Sequence, residues 1–109
     1  MHPLCPELHY LRAIVLIELN RYNEAIASLR QVIYLDRSLA IVHFTLGSIL
    51  QRHGATTDAR RAYQNALVLC VEKSDDDILP LSDGERTGHL VDAVRAQLAV
   101  LEVKTGNVR

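Results

Sequence analysis

The chain repeats its pattern of side chains every 34 residues. Ala25 recurs as Ala59, Leu16 recurs as Leu50, and several other positions keep their class of side chain across the same interval. Those further pairs are His9 with His43, Tyr10 with Phe44, Ala13 with Gly47, Glu24 with Asp58, and Leu29 with Tyr63. A 34-residue period is the length of a unit built from two antiparallel helices, and such units stack into a surface that binds rather than reacts.

The apolar spacing predicts five helices. They are expected at about 7–19, 22–35, 39–52, from just after Thr57 to 71, and 85–104. The chain is therefore predicted to be a single domain over 1–109, with repeat 1 at 7–38, repeat 2 at 39–73, a loop at 74–83 and a capping helix at 84–105. The 34-residue register is lost by the last helix, which is why we expect a cap there rather than a third repeat.

Helix-ending and helix-starting residues support these boundaries. Asn20 and Gly54 are expected to end the first and third helices, because both tolerate the left-handed backbone. Thr57 is a candidate N-cap for the fourth helix. Ser82 and Glu85 have the spacing of a capping box for the last helix, and Pro80 favours a loop before it.

Composition restricts the class of protein. With 109 residues and a net charge of −1, the chain has room for one modest core and no basic field for nucleic acid or an anionic membrane. Its longest wholly apolar run, 13–17, is far below the roughly 20 residues of a membrane span. Cys5 and Cys70 are expected to be buried or free thiols, as in a cytoplasmic protein. Met1 is either a native start or the start of an excised fragment, and we favour the fragment.

Small residues stand where paired helices must cross closely. Ala13 and Gly47 occupy that position on the first helix of each unit, and Ala25 and Ala59 occupy it on the second. The spacing Leu46-Gly47-x-x-Leu50 followed by Ala59-x-x-x-Tyr63 resembles the tetratricopeptide repeat (TPR). His9 and His43 depart from it where tryptophan is common, and Arg37 replaces a usual proline. The resemblance implies an all-α, right-handed stack of antiparallel helix pairs, and a coincidental helical bundle is the alternative.

A narrower resemblance extends over nearly the whole chain. The runs 9–13, 19–25 and 34–47, and above all Ile78-Leu79-Pro80-Leu81-Ser82-Asp83-Gly84-Glu85-Arg86-Thr87-Gly88-His89-Leu90, are similar to the C-terminal TPR region of CheR-type chemoreceptor glutamate methyltransferases. This resemblance implies an upstream domain that uses S-adenosylmethionine. The present sequence has no glycine-rich strand-to-helix turn, so the resemblance makes it the non-catalytic, protein-binding part. A free-standing TPR scaffold or adaptor is the alternative.

Repeat geometry predicts a concave binding face. The residues expected on it are Glu7, Tyr10, Ile14, Ile17, Glu18, Ile41, Phe44, Ser48, Gln51 and Arg52. Within this set, Tyr10, Ile14, Ile41 and Phe44 form an apolar strip suited to an amphipathic helix or an extended peptide. The expected partners are a chemoreceptor, the catalytic domain of the same protein or another signalling protein. Alternatively, the last helix folds over the strip, or the strip pairs in a homodimer.

The sequence offers little support for a metal site or a catalytic site. No His or Cys lies three or four residues from another, as a two-ligand helical metal site requires. Asp75-Asp76-Asp77 is better interpreted as a solvated loop than as a cation site, because Ile78, Leu79 and Pro80 follow it. We therefore expect no metal, no cofactor and no catalytic residue in this chain.

Overall fold

The computed structural model describes residues 5–71, 73–82 and 84–106, with side chains as far as Val103. Five α-helices account for most of this part of the chain. They are α1 (Pro6–Glu18), α2 (Tyr22–Leu35), α3 (Ala40–Arg52), α4 (Thr56–Cys70) and α5 (Thr87–Gly106).

The helices pair and stack in chain order. The two most extensive contacts are α1 with α2 and α3 with α4, and these are the two helix pairs expected from the repeat. The pairs join where α3 packs on α2, and α5 packs on α4 to a similar extent. The described residues contain no strand, only an isolated antiparallel bridge between Ile78 and Arg86. The predicted all-α, TPR-like fold is confirmed.

Small residues at the helix crossings allow the close approach that the sequence predicts. Ala13, Ala25, Ala59 and Ala66 are all fully buried. Larger apolar side chains from both units and from α5 then fill one continuous core. Its largest fully buried apolar members are Tyr63, Leu29, Leu79, Leu101, Val32, Val42 and Val94, of which Leu79 comes from the segment before α5.

The same backbone motif closes the first helix of each pair. Asn20 and Gly54 have φ angles of 59° and 84°, so both adopt the left-handed conformation expected of a helix-ending residue. In each unit the next residue donates its backbone N–H to the helix, from Arg21 to the Leu16 carbonyl at 2.9 Å and from Ala55 to the Leu50 carbonyl at 2.9 Å. These hydrogen bonds lie 34 residues apart, so the repeat extends to the backbone of the turn.

Two predicted helix starts are wrong. Thr57 is not an N-cap, because α4 already begins at Thr56 and Ala55 precedes it without a side-chain cap. Ser82 and Glu85 do not cap α5, which begins at Thr87. The Glu85 N–H does donate to Ser82 Oγ at 3.0 Å, but this bond closes a turn ahead of the helix.

The segment before α5, predicted as a loop, is tied into the fold at several points. Leu79 is buried in the core, and its backbone N–H donates to the Glu85 carbonyl at 2.8 Å. Fully buried Thr87 donates twice to the Asp77 carbonyl, from its backbone N–H at 2.8 Å and from Oγ1 at 3.0 Å. The bonds from Thr87 anchor the segment to the first turn of α5, and the bond from Leu79 joins it to the residues just ahead of the helix.

Candidate protein-binding surface

The predicted concave residues lie on α1 and α3, and one hydrogen bond joins the two helices directly. The hydroxyls of Tyr10 and Thr45 are 3.1 Å apart. Because Thr45 donates its own hydrogen to the Ile41 carbonyl at 2.9 Å, Tyr10 is the donor in this pair. Burial raises the pKa of the Tyr10 hydroxyl, which therefore stays protonated and able to donate.

The four residues of the apolar strip are all half-buried. Tyr10, Ile41 and Phe44 pack with one side against the core, and Ile14 lies one turn further along α1 from Tyr10. The Phe44 ring also contacts the Tyr63 ring, with centroids 5.7 Å apart and planes tilted by 48°. Each of these side chains therefore keeps an edge that a bound partner could cover.

Ser48 and Gln51 support this surface from within. Both hydrogen-bond to the hydroxyl of fully buried Tyr63, which donates to Gln51 Oε1 at 2.7 Å. Burial raises the pKa of this hydroxyl as well. Sequence reasoning placed Ser48 and Gln51 on the binding face; both are half-buried like the strip residues, and their hydrogen bonds also hold Tyr63, and with it Phe44, in position.

The charged members of the predicted set are exposed. Glu7 and Glu18 lie on α1, and Arg52 ends α3, where its guanidinium donates to the Tyr22 hydroxyl at 3.5 Å. The Cys5 thiol donates to Glu7 Oε1 at 2.9 Å and lowers the pKa of that carboxyl. Ile17, the last member, is half-buried against the core.

The last helix, α5, packs mainly on α4 and to a smaller extent on α3. The first helix of a third unit would have the same two neighbours. This placement leaves Tyr10 and Ile14 of α1 on the part of the strip furthest from α5.

A second groove, on the opposite side of the stack, was not predicted. It lies between α2 and α4, has a volume of about 370 Å³, and has His43, Leu46 and Leu50 at its base. Arg30 and Arg61 line it. Tyr34, an aromatic residue near the end of α2, also lines this groove and is 81% exposed, so an aromatic side chain outside the apolar stripe of α2 was the sequence signal for it.

The two cysteines are free thiols as expected, and one of the two repeat-equivalent histidines is buried. His43 is buried, and its Nε2 hydrogen-bonds to the Arg37 carbonyl at 3.1 Å, while burial lowers the pKa of the ring. Cys5 and Cys70 are both free thiols. Among the described residues, no three His, Cys, Asp or Glu side chains are grouped so as to hold a metal ion.

Comparison with known families agrees with the fold. Residues 13–54 match the family model described as TPR repeat. The matched range is less than half of the chain. The match covers most of the first helix pair and all of α3, and together with the helix stacking it supports a TPR domain. Such domains are generally non-catalytic and typically bind proteins or peptides. No curated protein matches the chain. In the described part of the chain, no helix is both long and apolar enough to cross a membrane.

Proposed function

We propose that this chain is a non-catalytic protein–protein interaction module that binds a helix or an extended peptide on the strip formed by Tyr10, Ile14, Ile41 and Phe44. The observation that carries the proposal is the half-burial of all four side chains on two adjoining helices. Each is held in place by the fold and still presents apolar surface to solvent. Covering such preorganised surface costs little side-chain entropy, which favours binding.

The surroundings of the strip suggest what kind of partner it would take. The carboxylates of Glu7 and Glu18 are exposed on α1, and Arg52 is exposed at the end of α3. A peptide with two apolar anchors and basic residues beside them would match the α1 side. Rim charges of this kind mainly set orientation and association rate.

We further propose that the partner system is chemoreceptor methylation, with this chain directing or regulating an S-adenosylmethionine-dependent catalytic domain. The support is the resemblance of residues 78–90 to the segment that follows the repeats in CheR-type enzymes. In this chain the same stretch contributes Leu79 to the core and pairs Ile78 with Arg86. It is thus a specific structural element and not an interchangeable linker.

The test is direct binding to two purified candidates, the cytoplasmic part of a chemoreceptor and a CheR-type catalytic domain. Isothermal titration calorimetry should detect binding to at least one of them. The changes Ile14→Asp and Ile41→Asp should each weaken binding about tenfold or more, since each places a charge against the apolar partner. Val68→Asp, at an exposed apolar position on α4, is the matched control and should bind normally.

Other outcomes separate the proposals. Binding to neither candidate, with no S-adenosylmethionine-binding domain encoded in the same gene, would reject the methylation role and leave a free-standing adaptor. Loss of helicity in the Ile14 and Ile41 variants by circular dichroism would show that both residues belong to the core. Methyl transfer by this chain alone would contradict the non-catalytic assignment.

A further inference from the structure

A second apolar surface lies on the outer side of α1. Leu8, Leu11 and Val15 are 62%, 60% and 51% exposed, and Leu19, directly after the helix, is 57% exposed. They follow one another at intervals of three or four residues, which places them on one side of the helix. Single exposed apolar residues are common on proteins, but a continuous stripe of four marks an interaction surface.

The second unit shows that this exposure is not a property of the repeat. Val42 and Ile49, which lie 34 residues after Leu8 and Val15, are only 0% and 3% exposed. Leu11 and Leu19 correspond to half-buried Thr45 and exposed His53, so the contrast between the units is greatest at Leu8 and Val15.

The covering element on α3 is α2. Leu46 lies one turn after Val42 and lines a cavity together with Arg30 and Ile33 of α2. On a different side of the helix, Gly47 lies directly against Tyr63 of α4. The face that carries Val42 and Leu46 is thus turned toward α2, and the equivalent face of α1 is turned toward a position that no described helix occupies.

We propose that the outer face of α1 docks an amphipathic helix from a partner protein, which packs on Leu8 and Val15 as α2 packs on α3. The partner helix would carry small and branched apolar residues on one face. It would also carry an acidic residue opposite Arg12, which replaces the Leu46 of the second unit. Arg12 is exposed and lines a cavity together with Glu24 of α2, but no ion pair joins it to any residue that the structure describes.

A second copy of the chain is a poor occupant. Among the described helices, those of the required kind are α2 and α4, and their corresponding faces are already covered by α3 and α5. Arg12 would also bring a like charge into a symmetric pairing of two α1 helices. The docking surface shares no residue with the concave strip, so the two proposals stand or fall separately.

The chain supplies its own probe for this surface. A helix-stabilised, fluorescent peptide with the sequence of residues 21–36 copies α2, the helix that covers the equivalent face of α3. We expect saturable binding by fluorescence anisotropy. The double change Leu8→Lys with Val15→Lys should weaken it about tenfold or more, because it removes the apolar contact. The matched double change Val68→Lys with Val71→Lys, at exposed apolar positions around the end of α4, should have no effect.

A charge reversal tests the docking geometry. The peptide residue equivalent to Arg30 should approach Arg12, since Arg30 and Leu46 line the same cavity in the folded chain. A peptide carrying Arg30→Glu should bind the unchanged chain about threefold more tightly than the original peptide. This gain should vanish against the Arg12→Leu chain, which should instead bind the original peptide better.

Three results would overturn the proposal. The first is no binding of either peptide. The second is binding that the Leu8 and Val15 changes leave intact, which would mean that the peptide replaces α2 in its own site. The third is a dimer in sedimentation equilibrium that dissociates in the same double variant, which would assign the surface to a second copy. An Ile41→Asp chain should bind the peptide normally, because Ile41 belongs to the concave strip and not to the outer face of α1. This variant therefore separates failure of the outer-face proposal from failure of the concave strip.

Discussion

Gly47 offers the sharpest test of how the two helices of the second unit fit together. A Cβ atom added at this position would lie 2.8 Å from both Cδ1 and Cε1 of Tyr63, closer than packed carbon atoms approach. The Tyr63 ring has little freedom to move away, because it is fully buried and its hydroxyl is held by Gln51 at 2.7 Å. Gly47→Ala therefore requires a shift of the whole α3–α4 contact.

Two opposing contributions set the size of the effect. Alanine is more favourable than glycine inside a helix by about 1 kcal/mol. Overpacking of a fixed core costs about 1–3 kcal/mol. The net result should be a loss of unfolding free energy of about 1 kcal/mol, which lowers the melting temperature by roughly 5 °C. Gly47→Leu should cost more, since the larger side chain adds volume at the same contact.

The first unit supplies the control. Its counterparts of Gly47 and Tyr63 are Ala13 and Leu29, both fully buried, so an alanine fits when leucine stands opposite. In a chain that carries Tyr63→Leu, the additional change Gly47→Ala should be neutral or stabilising by up to about 1 kcal/mol. Urea denaturation of the four chains gives the coupling energy. The reasoning is refuted if Gly47→Ala stabilises the unaltered chain, or if its cost persists beside Tyr63→Leu.

Three further predictions concern other parts of the molecule. Burial lowers the pKa of His43, so the unfolded chain binds the extra proton more readily. The unfolding free energy should therefore fall as the pH drops below about 6.5. The fall should be smaller in His43→Gln, and an equal fall in both chains would contradict the assignment. Gly88→Leu should detach the preceding segment, because a Cβ there would lie 3.1 Å from Cβ and 3.3 Å from the carbonyl of Asp75; limited proteolysis should then cut within 73–82, and unchanged resistance would argue against tight anchoring. Burial raises the pKa of the Cys70 thiol, so a thiol reagent should modify Cys5 well before it modifies Cys70, and equal rates would indicate that α4 opens readily.

The repeat made the fold predictable from the sequence. Ala25 and Ala59 mark the helix crossings, and Asn20 and Gly54 mark the turns, because each position demands a small side chain or a left-handed backbone. Such demands are local, and sequence reasoning identifies them well. The start of α5 was less predictable. A hydrogen bond from the Glu85 N–H to Ser82 Oγ is the kind that caps a helix, but in this chain it closes a turn ahead of the helix.

The surfaces could be predicted only in part. The periodic pattern places Ile14 and Phe44 on one face, but it does not reveal that Gln51 is occupied by the Tyr63 hydroxyl, because that bond depends on the orientation of both side chains. Nor does periodicity distinguish Leu8 from Val42. The two have the same position in the repeat, and only the presence or absence of a neighbouring helix determines which is buried.

The central claim is that this chain binds a protein partner through the strip on α1 and α3. Titration of the chain with the chemoreceptor cytoplasmic part and with the CheR-type catalytic domain tests it most directly. The account predicts binding to at least one, weakened about tenfold by Ile14→Asp and unaffected by Val68→Asp. Equal binding by the Ile14→Asp and Val68→Asp chains would contradict it, whereas binding to neither partner would reject the methylation role and leave the strip to a different protein.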